Sequence, residues 1–468
     1  MKPGMIENDM QNAMTITIHP DKAAGPVKPV NGVGQPPMVG ALKDWPMMHY
    51  LKEAGIPFSR LHDVGGYFGG GLYVDIPNLF PDFDADETDP ANYRFVFTDS
   101  LIDALGENGV EPFFRLGVSI ENWPAYTKPF PRLRTDPPKD FAKWARICEH
   151  VIRHYTEGWA GGFHHTITHW EIWNEPENWP DPEKNEMWHG SFAEYCRLYE
   201  VASKHLKAAF PHLKIGGYAS CGVAWINSWK ENRAKHHVEC FHKFLAFVRE
   251  RDCPLDFYSF HSYSRIPNMM EQARYVRDAL DNAGFRDVPT CLNEWLPQPT
   301  HEKLGSALQA AEIAAALIAF QNGPVDSAAI YDARCGVGTY SPLFNPLTYE
   351  PHKAYYAFTA FHELRKRGTA VEVNMNHEIH KTHETLYAAA AISSLPSSLS
   401  PLTSSLPLAV MVANPGDDAV PFSLEISGGI RRRTVESCRI TDKDHTDVET
   451  AMPRELPPHS FLVAVFNS

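Results

Sequence analysis

The chain is short of basic residues, of organised cysteines and of long apolar runs. Its 43 Lys and Arg face 57 Asp and Glu, a formal net charge of −14 with histidine neutral. Nucleic acids and anionic membranes are gripped by a basic field, so this balance excludes both as general partners. The one basic run, Arg431-Arg432-Arg433, reads as a solvated strand edge. Eight cysteines (Cys148, Cys196, Cys221, Cys240, Cys253, Cys291, Cys335 and Cys438) contain no Cys-x-x-Cys pair and no dense spacing. Several lie inside apolar patterns, so reduced thiols acting as small hydrophobes are expected, with a Cys240–Cys253 pairing left open. Residues 1–24 lack the uninterrupted apolar core of a secretory signal. No stretch reaches the roughly 18 apolar residues of a membrane span; 310–320 comes nearest, and Glu312 breaks it. A soluble chain is expected, in the cytoplasm or, if a leader has been removed, in the periplasm or outside the cell.

What is abundant is proline and aromatic surface: 38 Pro, 11 Trp and 12% aromatic residues in all. Sugars offer flat C–H faces ringed by hydroxyls, so aromatic platforms beside polar side chains suit them, although core packing is the ordinary use of any single Trp. At 468 residues the chain exceeds one domain. From about residue 30 to 364, apolar extended segments alternate with amphipathic ones, the pattern of a parallel sheet with crossover helices. Strands are expected at 30–34, 57–62, 112–118, 167–173, 214–218, 256–261, 288–293 and 327–332. Helices are expected at 41–54, 98–108, 140–155, 192–210, 238–251, 268–283, 304–322 and 352–366. Ser191 with Glu194 reads as a capping box, and Gly55, Gly109 and Gly284 follow helical runs. Eight such units make an α/β fold, a (β/α)8 TIM barrel.

Past Lys366 the style changes to short β-like runs at 371–373, 386–391, 409–413, 422–426, 434–440 and 461–466, the pattern of a C-terminal β-sandwich. Residues 393–406, rich in Ser, Pro and Leu, read as a long hairpin loop. The expected organisation is an N-terminal extension (1–26) adding a strand at 15–19 to the sandwich, a catalytic barrel (27–366) and the sandwich (367–468).

Two carboxylates organise the chemistry. Glu175 ends His-Trp-Glu-Ile-Trp-Asn-Glu-Pro (from His169) and Glu294 ends Thr-Cys-Leu-Asn-Glu before Trp295; each follows an Asn, Asn174 and Asn293. They top the fourth and seventh expected strands, on opposite sides of the barrel mouth, where a barrel keeps its chemistry. Glycosidic bonds are broken by such facing pairs, about 5–5.5 Å apart in retaining enzymes. Glu171 shares a strand face with Glu175, but four residues at about 3.3 Å each separate them too far to serve one anomeric carbon, so Glu171 reads as structural. Glu177, past Pro176, is expected to shape the entry. Other strand ends are rich in donors: Arg60, His62 and Asp63; Arg115, then Glu121, Asn122 and Trp123; Asp332 and Arg334. His165 and His169 are four apart but on an extended segment with no third ligand evident, so no metal and no cofactor is expected.

The Ile-Trp-Asn-Glu-Pro segment, the later Asn-Glu-Trp and Asp-Phe-Tyr-Ser-Phe-His-Ser-Tyr (from Asp256) resemble the clan A retaining glycosidases. Within them the likeness is to glycoside hydrolase family 39, the β-xylosidase and α-L-iduronidase family, from about Gly32 to Phe466. The resemblance implies Glu175 as general acid/base and Glu294 as nucleophile, with His261 and Tyr263 beside the nucleophile and Arg60 and His62 contacting sugar. It implies a carbohydrate substrate, an exo-acting β-xylosidase-like activity, and an accessory sandwich; a homo-oligomer is left open. Asn174 is expected to bond the sugar 2-hydroxyl, and Trp123, Trp179, Trp295 and Arg334 to contact substrate. Trp173 and Trp179 are expected to wall the acid and raise its pKa. Arg265 and Arg334, if free to clamp a carboxylate, would favour a uronate-specific enzyme instead. An endo-acting hydrolase and a catalytically inactive carbohydrate-binding barrel are the other readings.

Overall fold

The computed structural model describes residues 13–38, 46–64, 74–120, 135–223, 232–376, 386–393, 406–427 and 433–467. Among these, eight parallel strands close into a barrel: β2 (Gly32–Gly34), β3 (Phe58–Leu61), β4 (Glu111–Leu116), β5 (His169–Ile172), β6 (Lys214–Ser220), β7 (Tyr258–Ser262), β8 (Thr290–Trp295) and β9 (Ser327–Ile330). Each adjacent pair is parallel, and β2 closes on β9. All eight coincide with expected strands. Their runs are apolar on both faces because one face fills the barrel and the other meets helices.

The crossover helices are α1 (Met48–Glu53), the short α2 (Ile76–Leu79), α3 (Val96–Glu107), α4 (Phe141–Glu157), α5 (Phe192–Ala209), α6 (Asn232–Glu250), α7 (Ile266–Asn282), α8 (Ala307–Asn322) and α9 (Tyr355–Arg367). Local signals set their ends. Asp140 accepts from the N–H groups of Ala142 and Lys143 to open α4, and Gly158 closes it at φ +77°. The Ser191–Glu194 capping box opens α5. Helix α6 starts at Asn232, six residues before the expected start, because its first turns are polar and the apolar period begins at Val238. The start expected at residue 41 lies outside the described residues up to residue 45.

The second unit is one nine-stranded sheet, in the order β15-β14-β17-β12-β11-β10-β1-β13-β16. Its members are β1 (Met14–Pro26), β10 (Gly368–Met375), β11 (Tyr387–Ser393), β12 (Leu408–Asn414), β13 (Val420–Ile426), β14 (Val435–Thr441), β15 (Val448–Glu449), β16 (Glu455–Leu456) and β17 (Ser460–Phe466). Met14, Phe422 and Leu456 from one end share a core with Cys438, Ile440 and Leu462 from the other. The sheet therefore closes over its own apolar face as a β-sandwich domain. Strand β1 runs well beyond the five β-like residues, and β15 and β16, two residues each, carry no sequence pattern to announce them. Most of the loop expected at 393–406 lies outside the described residues, as do Arg431 and Arg432.

Alternation along β12 divides the two cores. Leu408, Val410 and Val412 face the sandwich interior, while Ala409, Met411 and Ala413 join the barrel's core. Helix α8 lies between barrel and sheet and is apolar almost all round, Ala310, Ala311, Ala314, Ala315 and Ala316 being fully buried. Its alanines let the sheet approach closely. One pattern thus explains both the alanine run and the fully buried β12.

Strand β1 is internal, antiparallel to β10 and parallel to β13. Replacing fully buried Ile16 with Ala should cost about 2–4 kcal/mol, against less than about 1 kcal/mol for Thr17→Ala on the other face. Denaturant midpoints measure both; equal losses would contradict β1's place in the core.

Candidate active site

The barrel mouth is built from strained backbone. Gln35, Asp63, Trp173, Glu175 and Ala219 all take positive φ although none is glycine. They lie at the C-terminal ends of four barrel strands, β2, β3, β5 (two of them) and β6, and such strain persists only where the surroundings hold it. Glu175, at φ +44°, is pinned by its N–H donating to Ala219 O at 2.9 Å, and Asn178 N–H returns to Glu175 O at 3.0 Å. On the opposite side a register shift between Phe260 and His261 brings His261 level with Glu294. Gly222 (φ +80°) lets the chain pass beneath His261, where a Cβ would stand 2.0 Å from His261 O.

These devices bring Glu175, His261 and Glu294 together. One carboxylate oxygen of each glutamate and one ring nitrogen of His261 lie within 4.8 Å of one another. His261 Nδ1 is 2.7 Å from Glu175 Oε1 and 3.4 Å from Glu294 Oε2. The two glutamates differ in their donors. Glu294 Oε1 accepts from Arg60 Nη1 at 2.7 Å, and its Oε2 from the Tyr263 hydroxyl at 2.6 Å. Burial and the carboxylate raise the Tyr263 hydroxyl well above its ordinary pKa, so it stays a donor.

Arg60 is 1% exposed and touches almost the whole site. Its Nε donates to Glu171 Oε2 at 2.8 Å and its Nη2 to Asn174 Oδ1 at 2.7 Å. Burial alone would lower its pKa, but Glu171 and Glu294 outweigh that and raise it. Glu171 is thus the second counter-charge of a buried cation, its other oxygen accepting from Asn293 Nδ2 at 2.6 Å. Asn174 presents its carbonyl oxygen to Arg60, leaving the amide nitrogen as its polar group for other partners. His62 lies 3.9 Å from Glu294 and receives Arg115 Nε at Nδ1. Burial, Arg115 and Arg60 hold it neutral, so Nε2 carries the proton toward Glu294 and Asp63.

Several expectations are corrected. Burial favours a protonated Glu175, but His261 and the Asn178 amide (Nδ2 to Oε2, 2.9 Å) outweigh it and draw its pKa down to about 2. Trp173 does not wall the acid: its indole donates to Met187 O and packs on Trp188 and Trp144. Trp179 sits at the rim, 37% exposed, under the Arg233 guanidinium at 4.7 Å. Trp295, next to Glu294 on β8, points to the other face by strand alternation and packs buried against Phe320 of α8, away from the mouth. Arg334 is paired with Asp332 at 2.8 Å, and exposed Arg265 bonds Gln298, so neither is poised as a uronate clamp. Glu121, Asn122 and Trp123 lie outside the described residues. His165 pairs with Asp103 and His169 stacks on Phe113, in no common ligand set.

Sequence reasoning missed Tyr331, whose hydroxyl donates to Asp63 Oδ2 at 2.7 Å and accepts from Gln35. It also missed Tyr340 and Asn178, which come from loops without periodic pattern, and Arg233, which pairs with Asn178 from the polar first turn of α6. A donor three residues past Glu175, where a turn folds back, was the available signal for Asn178. Glu175, His261 and Glu294 have the donor types to hold a divalent metal. Arg60 and Tyr263 already engage both Glu294 oxygens, however, and the guanidinium would oppose a second cation there. The arrangement suits proton exchange at Glu175 and a fixed, donor-held carboxylate at Glu294.

A family model described as glycosyl hydrolases family 39 matches residues 70–329. A β-xylosidase of Geobacillus stearothermophilus is 28% identical over 279 residues, 53% of this chain and 50% of its own. One of Caldicellulosiruptor saccharolyticus is 27% identical over 307 residues, 62% of this chain and 57% of its own. The chain thus aligns with little more than half the length of these relatives. Two solved structures share the fold over 97% of this chain: a glucosidase from Croceicoccus marinus (TM-score 0.72, 19% identical, 99% of that chain) and a β-xylosidase from Caulobacter crescentus (TM-score 0.62, 16% identical, 100% of that chain).

Glu177 is not at the entry but buried beneath it. Its Oε1 accepts Cys221 N–H at 2.8 Å, and among the described residues its Oε2 has no partner. Burial first, then the charge of Glu175, push its pKa well above the carboxylate range. The folded state therefore keeps a proton that the unfolded chain releases above about pH 4.3, and stability falls as pH rises past that value. Glu177→Gln should raise Tm at pH 8 and much less at pH 4, by about 1 °C for each kcal/mol recovered. Equal Tm differences at both pH values would contradict the buried neutral acid.

Proposed function

The chain belongs to glycosyl hydrolases family 39, and we propose that it is a retaining, exo-acting, β-xylosidase-like enzyme releasing terminal sugars. Glu294 is the nucleophile and Glu175 the acid/base of a double displacement. The observation that carries this reading is the convergence of the two carboxylates with His261 inside 4.8 Å, each with its own set of donors. Such closeness fits direct attack on the anomeric carbon; an inverting pair needs about 6.5–9.5 Å to admit a water.

In the first step Glu294 attacks the anomeric carbon while Glu175 protonates the departing oxygen. Arg60 and Tyr263 hold Glu294 and aim it. His261 Nδ1 lies 2.7 Å from Glu175 Oε1, a contact through which a proton can reach Glu175 as the glycosidic oxygen arrives. In the second step Glu294 is an ester and carries no charge. Having given its proton to the departing oxygen, Glu175 is a carboxylate and takes a proton from water, which attacks the anomeric carbon and releases Glu294. His62 Nε2–H and the Asn174 amide are donors for sugar hydroxyls. The pairing of Arg334 with Asp332 counts against uronate specificity, and an assembled, donor-tuned carboxylate pair counts against a binding-only barrel.

Glu294→Ala should abolish turnover. Glu175→Ala should slow poorly activated glycosides by roughly 10²–10⁴-fold while sparing aryl glycosides whose leaving groups need little protonation. Steady-state rates across a panel of aryl glycosides check both and identify the sugar. Unchanged rates in either variant would remove the assignment.

A further inference from the structure

Three tyrosines meet edge to face above the carboxylates. Tyr263 and Tyr331 have centroids 6.3 Å apart, and Tyr340 lies 5.3 Å from the first and 5.7 Å from the second, all near perpendicular. The first two have committed hydroxyls, Tyr263 to Glu294 and Tyr331 to Asp63. Tyr340 differs: among the described residues its hydroxyl bonds nothing, and the residue is 39% exposed. Its backbone is nonetheless fixed, Tyr340 O accepting Asp332 N–H at 2.6 Å and Ser341 N–H closing a turn on Gly338 O. Its ring stands 5.3 Å from that of Tyr263, whose hydroxyl bonds Glu294, so Tyr340 is one ring removed from the nucleophile's carboxylate.

A ring on fixed backbone, partly exposed and packed against the tyrosine that bonds Glu294, offers a stacking platform. The sugar undergoing attack must sit deep, over Arg60, Asn174 and His62, all buried. The group leaving it lies outward, on the side where Tyr340 is exposed. Exposed Val337, three residues earlier on the same loop, adds apolar surface.

We infer that Tyr340 is a specificity-determining residue that stacks on the ring of the leaving group, favouring sugar or aryl leaving groups over ringless ones. This rests on the reading of Glu175 and Glu294 above. The test compares β-1,4-xylobiose, whose leaving group is a sugar ring, with β-xylosyl fluoride, whose leaving group has none. In Tyr340→Ala the ratio of kcat/KM for xylobiose to that for the fluoride should fall roughly tenfold, mostly through a higher KM for xylobiose. Tyr340→Phe, which keeps the ring, should preserve most of that ratio. An unchanged ratio in Tyr340→Ala overturns the inference: if both substrates lose equally, the ring only props Tyr263, and if neither loses, it contacts nothing that matters. A wild-type enzyme inert toward both donors would instead overturn the functional reading itself.

Discussion

A guanidinium buried at the centre of the barrel organises this site. Arg60 cannot lose its proton, so its burial demands compensating negative charge, and the barrel supplies it from Glu171 and Glu294. Removing one partner of such a group typically costs about 3–5 kcal/mol, because an unpaired charge is left inside. The fork of Arg60 therefore fixes three strands at once: β3, which carries it; β5, through Glu171 and the adjoining Asn174; and β8, through Glu294. The requirement to neutralise one cation places the fourth and seventh strand ends in register. Glu171 is structural in this precise sense, an anchor that lets Glu294 be charged, fixed and still free along one side.

The remaining construction serves to hold Glu175 opposite. Left-handed backbone at Trp173 and Glu175, the hydrogen bond to Ala219 O and the register shift at His261 are each unfavourable or irregular in isolation. They persist because Trp173 is locked among Trp144, Trp188 and Gly117, where even a Cβ would come within 3.1 Å of its ring. The price is accepted at the mouth and met by a barrel whose far wall, α8 and α9, is backed by the β-sandwich domain. Sheet and barrel share one apolar layer, so the accessory domain stiffens the side that carries Glu294.

Much of this was legible in the sequence, and the failures have physical causes. All eight barrel strands were readable because short apolar extended runs alternate with amphipathic helical ones, several of them marked by caps. Glu175 and Glu294 stood out because Asn-Glu recurs at the ends of two such runs, whereas Arg60 looked like a sugar contact and proves to be the buried partner of Glu171 and Glu294. Side-chain direction was less accessible. Trp295 looked like a sugar platform by adjacency to Glu294, yet strand alternation turns it toward α8. Glu175 looked like an acid walled by tryptophans, but its proton affinity is set by His261, 86 residues away in the chain. Glu177 looked like an entry residue because it follows Pro176, whereas the turn drives it inward to Cys221. Tyr331 fell inside the expected eighth strand without its hydroxyl's partners being legible, and Tyr340 lies in a loop whose course no period or cap announces. Periodicity reports which residues lie inside; it does not report which neighbour across the barrel each will meet.

The proposed double displacement requires Glu294 to form a covalent bond to the sugar while Arg60 and Tyr263 hold it. A 2-deoxy-2-fluoro-β-xylosyl donor with an activated leaving group slows the hydrolysis of such an intermediate more than its formation, because the fluorine weakens the transition state of both steps and the leaving group rescues only the first. Mass spectrometry of the inactivated protein, followed by peptide mapping, should find one fluoroxylosyl group on Glu294. An adduct on another carboxylate, or steady hydrolysis of the natural substrate by a chain with Glu294 replaced by Ala, would contradict it.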